Sequence, residues 1–332
     1  MTTESHSRPD TPTLADLTLG EHLSTAGQGR VRSVADHPPT DSLLHSSDAA
    51  TSTRSDARCS ACSPPLPCGT ERPGDEPMKS TTRFNNLADR EGFIVVYPTQ
   101  LISRNMIACW NSGDPRHQQR DAGEPARLAG VARQVVETYH ADPDQVHVAG
   151  ASSGAGTAVI LAATYPDIFA TATSVAGGEY GLNQVDPDDP DATPPLYTAR
   201  QAWATMGDRA RQVPLLVIQG ERDEVVPPLV ATRLVEQWTT VGDLVDDGLP
   251  NDSLDLTEET ASVPAATGRH PDTHTTIKAP DGRSIVEAYR VQDMGHAWPG
   301  PDGDGWYTDQ AGPDASEIVW EFAARHPMNS GS

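Results

Sequence analysis

The hydrophobic pattern divides the chain into two unequal parts near residue 79. Residues 1–78 contain no Phe, Trp, Tyr or Ile and are rich in Ser, Thr, Pro, Asp and Arg. A segment of this composition buries too little apolar surface to offset the entropy lost on ordering. We therefore predict a disordered segment over 1–78 and a folded domain over 79–328.

Beyond this boundary, short continuous apolar runs alternate with longer runs of helical period. The short runs predict buried strands, and apolar residues three and four apart predict helices. The predicted strands lie at 93–98, 145–150, 169–178 and 213–220, and the predicted helices at 80–93, 124–145, 154–166, 228–241 and 314–327. A hairpin is predicted over 274–291, and a polar, mobile insertion over 242–272. This alternation predicts an α/β fold with a doubly wound, mostly parallel sheet.

Two adjacent serines stand in VHVAGASSGAGTA, residues 146–158. The G-x-S-x-G pattern is met with Ser152 at its centre, whereas centring it on Ser153 puts alanines at the glycine positions. The pattern lies between a predicted strand and a predicted helix, which is the setting of a nucleophile elbow. Ser152 is therefore the candidate nucleophile, although a Gly/Ser-rich turn without chemistry has the same pattern.

A serine hydroxyl needs a base to take its proton and a carboxylate to orient that base. In this fold class the order along the chain is Ser, then Asp or Glu, then His. Asp223 follows a predicted strand in LLVIQGERDEVVPP, with Glu221 and Glu224 as rival carboxylates, and His296 follows the last strand in VQDMGHAWPG. Taken alone, Asp223 and His296 are each also consistent with a solvated loop residue that has no catalytic role. The ordered set at strand ends predicts a catalytic triad.

Charge and cysteine usage narrow the classes of partner. The formal net charge of −23 argues against a nucleic-acid partner, which needs a basic surface. No apolar stretch approaches the length of a membrane-spanning helix, and the first residues do not read as a signal peptide. The Cys59/Cys62 pair is followed by no second pair at zinc-binding spacing, so we expect neither a metal nor a cofactor.

Several longer segments resemble the polyhydroxybutyrate depolymerase family of esterases, which is related to feruloyl and acetylxylan esterases. They are FNNLADREGFIVVYP, CWN, GEPARLAGVARQVVETYHADPDQVHVAGASSGAG, AATYPDIFAT, GERDEVV, MGHAWPG and GPDAS. The resemblance implies an α/β-hydrolase fold and hydrolysis of short-chain polyesters or related esters through an acyl-enzyme. It implies Ser152 as nucleophile, Asp223 as acid and His296 as base. It also implies an extracellular location.

The same resemblance concerns the groups around the triad. It implies the backbone N–H of Ser153 as one oxyanion donor. It places Trp110 and Trp298 beside a substrate cleft, with ordinary packing as the alternative. The sequence does not indicate an oligomeric state.

One part of the family pattern is absent. Family members have an apolar strand ending in His-Gly before the NLADREGF segment, and its loop supplies the second oxyanion donor. This chain has DARCSACSPPLPCGTERPGDEP there. We therefore expect the sheet to lack this strand, and residues 1–78 to be a non-native segment joined by a frameshift or a mis-assigned start. The alternatives are an active polyester hydrolase, a feruloyl or acetylxylan esterase, and an inactive remnant.

Overall fold

A computed structural model describes residues 76–301, 303, 305 and 307–328, with the short segments 21–23, 32–34 and 58–63. Most of the segment predicted to be disordered, 1–78, lies outside the described residues. The strands are β1 (Glu21–Leu23), β2 (Arg32–Val34), β3 (Arg58–Ser63), β4 (Phe93–Val96), β5 (Val146–Ala151), β6 (Thr171–Val175), β7 (Leu215–Gly220), β8 (Thr257–Val263), β9 (Asp272–Lys278), β10 (Ser284–Val291), β11 (Trp298–Pro299) and β12 (Thr308–Asp309). The helices are α1 (Glu76–Thr82), α2 (Phe84–Glu91), α3 (Gly123–Tyr139), α4 (Ser153–Thr164), α5 (Pro195–Met206), α6 (Pro228–Asp247) and α7 (Ala315–Arg325).

Eight strands form the main sheet, in the order β4-β3-β5-β6-β7-β10-β9-β8. The pairs from β4 to β10 are parallel, and β9 and β8 add an antiparallel edge. Every residue of β5, β6 and β7 is buried, as expected for parallel strands covered on both faces. The predicted mostly parallel α/β sheet is confirmed.

The position between β4 and β5 is occupied. Strand β3 pairs in parallel with both neighbours, Cys59 lying opposite Ile94 of β4 and Val146 of β5. The prediction that the sheet lacks a strand at this place is therefore wrong. Its sequence, RCSACS, has none of the Val, Ile or Leu that usually mark such a strand, so its position comes from pairing rather than from its own apolar character. Residues 64–75, which follow β3 in the chain, lie outside the described residues.

Two predicted segments differ from the structure in detail. The single helix expected over 80–93 is two helices, α1 and α2, because the backbone at Arg83 takes a left-handed conformation with φ 55°. The segment 242–272, predicted to be a mobile insertion, contains the last six residues of α6, the whole of β8 and the first residue of β9, with which β8 pairs. The residues of β8 are almost all exposed and most are polar, so the strand has no apolar pattern from which it could be predicted.

The core lies on the two faces of the sheet. One cluster packs α3, α4, α5 and α6 against it, with the buried side chains of Trp238, Leu161 and Leu215. The other packs α2 and α7 against the opposite face, with Phe84 and Phe322. The carboxyl ends of the parallel strands therefore meet at one edge, where α/β sheets place their functional groups.

Candidate active site

Ser152 lies at a sharp turn between β5 and α4. Its backbone has φ 52° and ψ −121°, a conformation that a residue with a side chain rarely adopts. The Ser152 N–H donates to the Val175 carbonyl of β6 at 2.9 Å, which holds the turn against the sheet. The strained turn presents a serine side chain at the carboxyl edge, as a nucleophile elbow does.

The glycine before the turn has a steric reason. A β-carbon at Gly150 would overlap the carbonyl group of Gly154 and lie 2.8 Å from the Ala155 nitrogen. The strand and the first turn of α4 therefore approach each other closely enough to admit only glycine at this position. The G-x-S-x-G spacing in the sequence reflects this contact between backbones.

The acid and the base of the predicted triad are in direct contact. His296 Nδ1 lies 2.8 Å from Asp223 Oδ2, across a sequence separation of 73 residues. The Asp223 side chain has no exposed surface, whereas 15% of the His296 side chain is exposed. The pair therefore has the geometry of a buried carboxylate that orients an accessible imidazole.

Asp223 is held by the loop in which it lies. Its Oδ1 accepts hydrogen bonds from the N–H groups of Val225 and Val226 at 2.9 and 2.8 Å. Burial by itself raises the pKa of Asp223, but the hydrogen bonds from His296, Val226 and Val225 outweigh it, and the net pKa lies below the usual value. Asp223 is therefore ionised at neutral pH. The rival carboxylates Glu221 and Glu224 are exposed.

The loops that bear Asp223 and His296 are bonded to each other. The N–H of Glu221 donates to Val291 O and that of Arg222 to Met294 O, each at 2.9 Å. Gly220 leaves no room for a β-carbon beside the carbonyl groups of Met294 and Gly295. This close approach of two backbones fixes the distance between acid and base.

Ser152 shares the carboxyl edge with the Asp223–His296 pair. Strands β5 and β7 are separated by β6 alone, so about 10 Å separates their axes. Within the described residues no hydrogen bond joins the Ser152 hydroxyl to His296. Catalytic hydrogen bonds are often long without substrate and tighten in the Michaelis complex.

Ser153 has two separate features beside the elbow. Its backbone N–H, the predicted oxyanion donor, has no acceptor in the part of the chain that the structure describes, as befits the first residue of α4. Its hydroxyl oxygen accepts the Trp110 N–H at 3.2 Å. The second oxyanion donor would belong to the loop after β3, which lies outside the described residues.

The two candidate tryptophans have different surroundings. Trp298 is 2% exposed, its indole N–H donates to Ser316 Oγ at 3.1 Å, and its ring packs edge-to-face against Phe84. Its surroundings are those of a core residue, so the structure does not place Trp298 at a cleft. Trp110 lines a cavity of about 510 Å³ and stays a candidate for substrate contact.

One residue of the site was missed from the sequence. Gln219, the penultimate residue of β7, is fully buried and donates to Asp223 Oδ2 at 3.2 Å and to Val226 O at 3.1 Å. It thus bonds both the carboxylate and its loop. Its place within the apolar run LLVIQG was the one available signal, because a buried polar residue in such a run needs a partner.

The described residues contain neither a metal-binding cluster nor a membrane-spanning helix. Across the described ranges, no group of three or more His, Cys, Asp or Glu side chains is placed to hold a metal ion. No helix in the same residues has the length and apolar character needed to cross a bilayer.

Comparison with known proteins decides the family. The profile of the family described as "Esterase PHB depolymerase" matches residues 68–259, more than half of the chain. The chain belongs to this family. The match includes Ser152 and Asp223 and ends before His296.

The relatives differ in substrate. Poly(3-hydroxyalkanoate) depolymerase C of Paucimonas lemoignei is 28% identical over 71% of this chain and 55% of its own length. Feruloyl esterase B of Neurospora crassa is 26% identical over 66% of this chain and 73% of its own length. Acetylxylan esterase of Coprinopsis cinerea is 26% identical over 65% of this chain and 56% of its own length. The chain thus spans little more than half of two of these three relatives.

A solved structure supports the fold. The acetyl xylan esterase from Aspergillus awamori superposes with a TM-score of 0.56 at 22% identity, covering 73% of this chain and 85% of that one. At this identity the likeness shows the α/β-hydrolase fold alone.

Proposed function

We propose that this protein is a serine carboxylic ester hydrolase that works through an acyl-enzyme, with residues 79–328 as its catalytic domain. The observation that carries the proposal is a strained Ser152 on the same edge of the sheet as a buried Asp223 bonded to His296. A turn without chemistry has no reason to keep such strain. Family membership supports the same reaction class.

Each side chain has one step in this mechanism. His296 takes the proton from the Ser152 hydroxyl as its oxygen attacks the ester carbonyl, and it later returns that proton to the leaving alcohol. Asp223 fixes the Nδ1–H tautomer and stabilises the imidazolium that forms. The Ser153 N–H donates to the developing oxyanion, aided by the N-terminus of α4. Water then attacks the acyl-enzyme while His296 takes its proton, and His296 returns that proton to Ser152 as the acid product leaves.

We propose a short-chain polyester, such as poly(3-hydroxybutyrate), as the substrate. Five large apolar side chains that we call the apolar rim support this choice: Ile102, Met106, Ile107, Val225 and Leu229, with exposures of 45% to 92%. They follow the carboxyl ends of β4 and β7. Each of these strands lies two positions from β5, so the rim flanks Ser152 on both sides.

An apolar rim favours contact with an apolar polymer over contact with a sugar chain. A sugar chain offers many hydroxyl groups that need hydrogen-bond partners, whereas a polyester surface offers methyl and methylene groups that gain from apolar contact. Feruloyl or acetylxylan ester hydrolysis is the second candidate, supported by relatives of similar identity. An inactive remnant is the third candidate. Its main support was the expected absence of a strand between β4 and β5, and β3 occupies that position.

The first experiment compares the two adjacent serines. The purified chain, Ser152→Ala and Ser153→Ala are assayed with p-nitrophenyl butyrate, and circular dichroism confirms that each is folded. We expect Ser152→Ala to lose activity by several orders of magnitude. Ser153→Ala keeps its backbone N–H and loses only the acceptor for Trp110, so we expect a loss of less than about tenfold.

Two results would contradict the proposal. A folded wild type without activity on butyrate, ferulate or acetate esters would favour the inactive remnant. Equal activity in wild type and Ser152→Ala would remove Ser152 from the mechanism. Among active outcomes, release of hydroxyacids from poly(3-hydroxybutyrate) film, against release of ferulate or acetate from xylan esters, separates the first two candidates.

A further inference from the structure

A cavity of about 510 Å³ lies beside the candidate active site, outside the triad. Its walls are formed by residues 98–104 after β4, by residues 110–117, and by the first turns of α3. The volume is in the range of small-molecule sites. The cavity is at the same edge of the sheet as Ser152, where open α/β sheets bind ligands.

A single segment, residues 110–112, connects the cavity to the nucleophile elbow. Trp110 lines the cavity, and its backbone N–H donates to Ser153 Oγ at 3.2 Å. Ser112, two residues later, lies 3.1 Å from the position that a β-carbon of Gly156 would take. The segment 110–112 therefore runs along the first turn of α4, directly after the nucleophile.

Three arginines line the cavity, and the side chains of two of them have no partner among the described residues. Arg116 is bonded through its guanidinium to the carboxylate of Asp114 at 2.6 to 3.1 Å. The guanidinium groups of Arg104 and Arg127 make no ion pair, hydrogen bond or ring contact with the described residues. Among the arginines whose side chains the structure describes, Arg200 alone shares this condition. Two free cations on one cavity are notable in a chain of net charge −23.

The carboxylate in the wall does not neutralise both of them. Glu124 is 7% exposed, and its oxygens accept hydrogen bonds from Gln100 Nε2, Asn111 N and Asn111 Nδ2. These neutral amides use its acceptor sites without supplying a charge. With Arg116 paired to Asp114, the described lining contains two unpaired guanidinium groups and one such carboxylate, so its net charge is positive.

The wall also has an apolar part and spare donors. Leu101, Leu128 and Val131 contribute aliphatic surface. The Thr99 hydroxyl and the Trp110 indole N–H are buried without a partner in the described structure. A cavity with more donors than acceptors, free arginines and an aliphatic wall fits a ligand with a carboxylate at the end of a short alkyl chain.

We propose that this cavity binds the free carboxylate end of a hydroxyacid oligoester, with Arg104 and Arg127 as the residues that recognise the anion. The inference rests on the proposed ester hydrolase function and names the substrate feature that the enzyme selects. The chain end is held beside the elbow, so the ester bonds that follow it are the first to reach Ser152. Soluble acidic oligomers are then preferred over neutral analogues of equal length.

The test compares two matched dimers. The linear dimer of 3-hydroxybutyrate has a free carboxylate at pH 8, and its terminal carboxamide is a neutral analogue of the same shape. The readout is the ratio of kcat/KM for the acid to kcat/KM for the amide, each expressed per ester bond cleaved, because one cleavage releases two 3-hydroxybutyrate molecules from the acid and one from the amide. We expect a ratio well above one in wild type and a fall of about tenfold for each of Arg104→Gln and Arg127→Gln.

Two further sets of variants serve as controls. Arg200→Gln removes an equally free arginine on α5, outside the cavity, and keeps the wild-type ratio. Arg104→Lys and Arg127→Lys keep the charge without the planar fork, and they recover part of the preference. A wild-type ratio near one, or a ratio unchanged by both glutamine substitutions, overturns the proposal.

A binding measurement tests the carboxylate-binding cavity separately from the proposed ester hydrolase activity. Ser152→Ala is titrated with the acid dimer by calorimetry, with and without the two arginine substitutions. Binding that is lost with the arginines supports the cavity even if neither dimer is hydrolysed. Absence of binding, or equal binding without the arginines, overturns it even if p-nitrophenyl butyrate is hydrolysed in a Ser152-dependent manner.

Discussion

His296 Nδ1 lies 2.8 Å from a carboxylate oxygen of Asp223, and the two loops that bear them are bonded to each other through their backbones. The imidazole is thus fixed from one side, leaving Nε2 for a proton from the nucleophile. Gln219 and two backbone N–H groups hold the carboxylate in turn. The orientation of the base is built into the strand ends of β7 and β10.

This pair predicts the effect of removing one charge. Asp223→Asn keeps the shape of the side chain but no longer favours the Nδ1–H tautomer of His296. We expect kcat for p-nitrophenyl butyrate to fall by roughly 10³- to 10⁴-fold. Glu221→Gln and Glu224→Gln, in the same loop and exposed, are the matched controls and should stay within about twofold. A large loss in either control would move the acid to that residue.

The close approach at the elbow predicts opposite outcomes for two glycines. At Gly150 a β-carbon overlaps the Gly154 carbonyl, whereas at Gly130, exposed in the middle of α3, it meets nothing within 4 Å. We expect Gly150→Ala to lower the free energy of unfolding by ~1–3 kcal/mol or more. Gly130→Ala should raise it by ~0.5–1 kcal/mol. Urea unfolding measures both, and a stable Gly150→Ala would contradict the packing described for the elbow.

The apolar rim predicts a selective loss on solid polymer. Met106→Ser and Leu229→Ser each remove a large exposed apolar side chain at the carboxyl edge. Losing ~1–2 kcal/mol of apolar contact per side chain should weaken adsorption to polyester film by roughly 5- to 30-fold. We expect the ratio of film hydrolysis to p-nitrophenyl butyrate hydrolysis to fall accordingly. Leu249→Ser, beyond the other end of α6, is the control; an equal loss there would mean that the rim has no special role.

A buried carboxylate outside the triad, Glu287 of β10, predicts a pH-dependent contribution to stability. Glu287 accepts hydrogen bonds from Arg325, His274 and Ser284. Burial raises its pKa, but the bond from His274, the charge of Arg325 and the bond from Ser284 outweigh it, so the folded pKa is lowered. The stabilisation is therefore full above the unfolded value of about 4.3 and is lost as the pH falls through the lower folded value.

Glu287→Gln tests this contribution. At pH 7 we expect the free energy of unfolding to fall by ~1–3 kcal/mol, with the difference from wild type shrinking below about pH 4. Glu259→Gln, which breaks the more exposed pair with Lys278, should cost no more than about 1 kcal/mol at any pH. A pH-independent difference for Glu287→Gln would show that shape rather than charge is lost.

The sequence predicted those parts of the fold in which local pattern and burial agree. Strands β5 and β7 are continuous apolar runs, and the structure buries every residue of both. Helix α5 was missed because its buried face consists largely of small residues, Thr198, Ala199 and Ala202, which leave no strong period. Strand β3 was missed for a similar reason, since small and polar residues occupy a central position.

The site was predictable where chemistry constrains sequence spacing. The glycines around Ser152 follow from backbone contact between residues 150 and 155, and so appear as a motif. The hydrogen bond from Trp110 to Ser153 joins residues 43 apart, and no local pattern encodes it. The family resemblance implies that Trp298 lies near a cleft. The structure buries Trp298 against Phe84 and Ser316, which are distant in sequence and meet only in the fold.

The place of β3 has a consequence for recombinant work on this protein. Its backbone pairs with β4 on one side and β5 on the other, so it has no free edge of its own. Deleting the residues up to 63 would therefore expose one edge of β4 and one edge of β5 at once, inside the sheet and one strand from its end. Unpaired edges of this kind pair with other chains. Expression trials should keep residues 58–63, because shortened versions are expected to aggregate even if every triad residue is present.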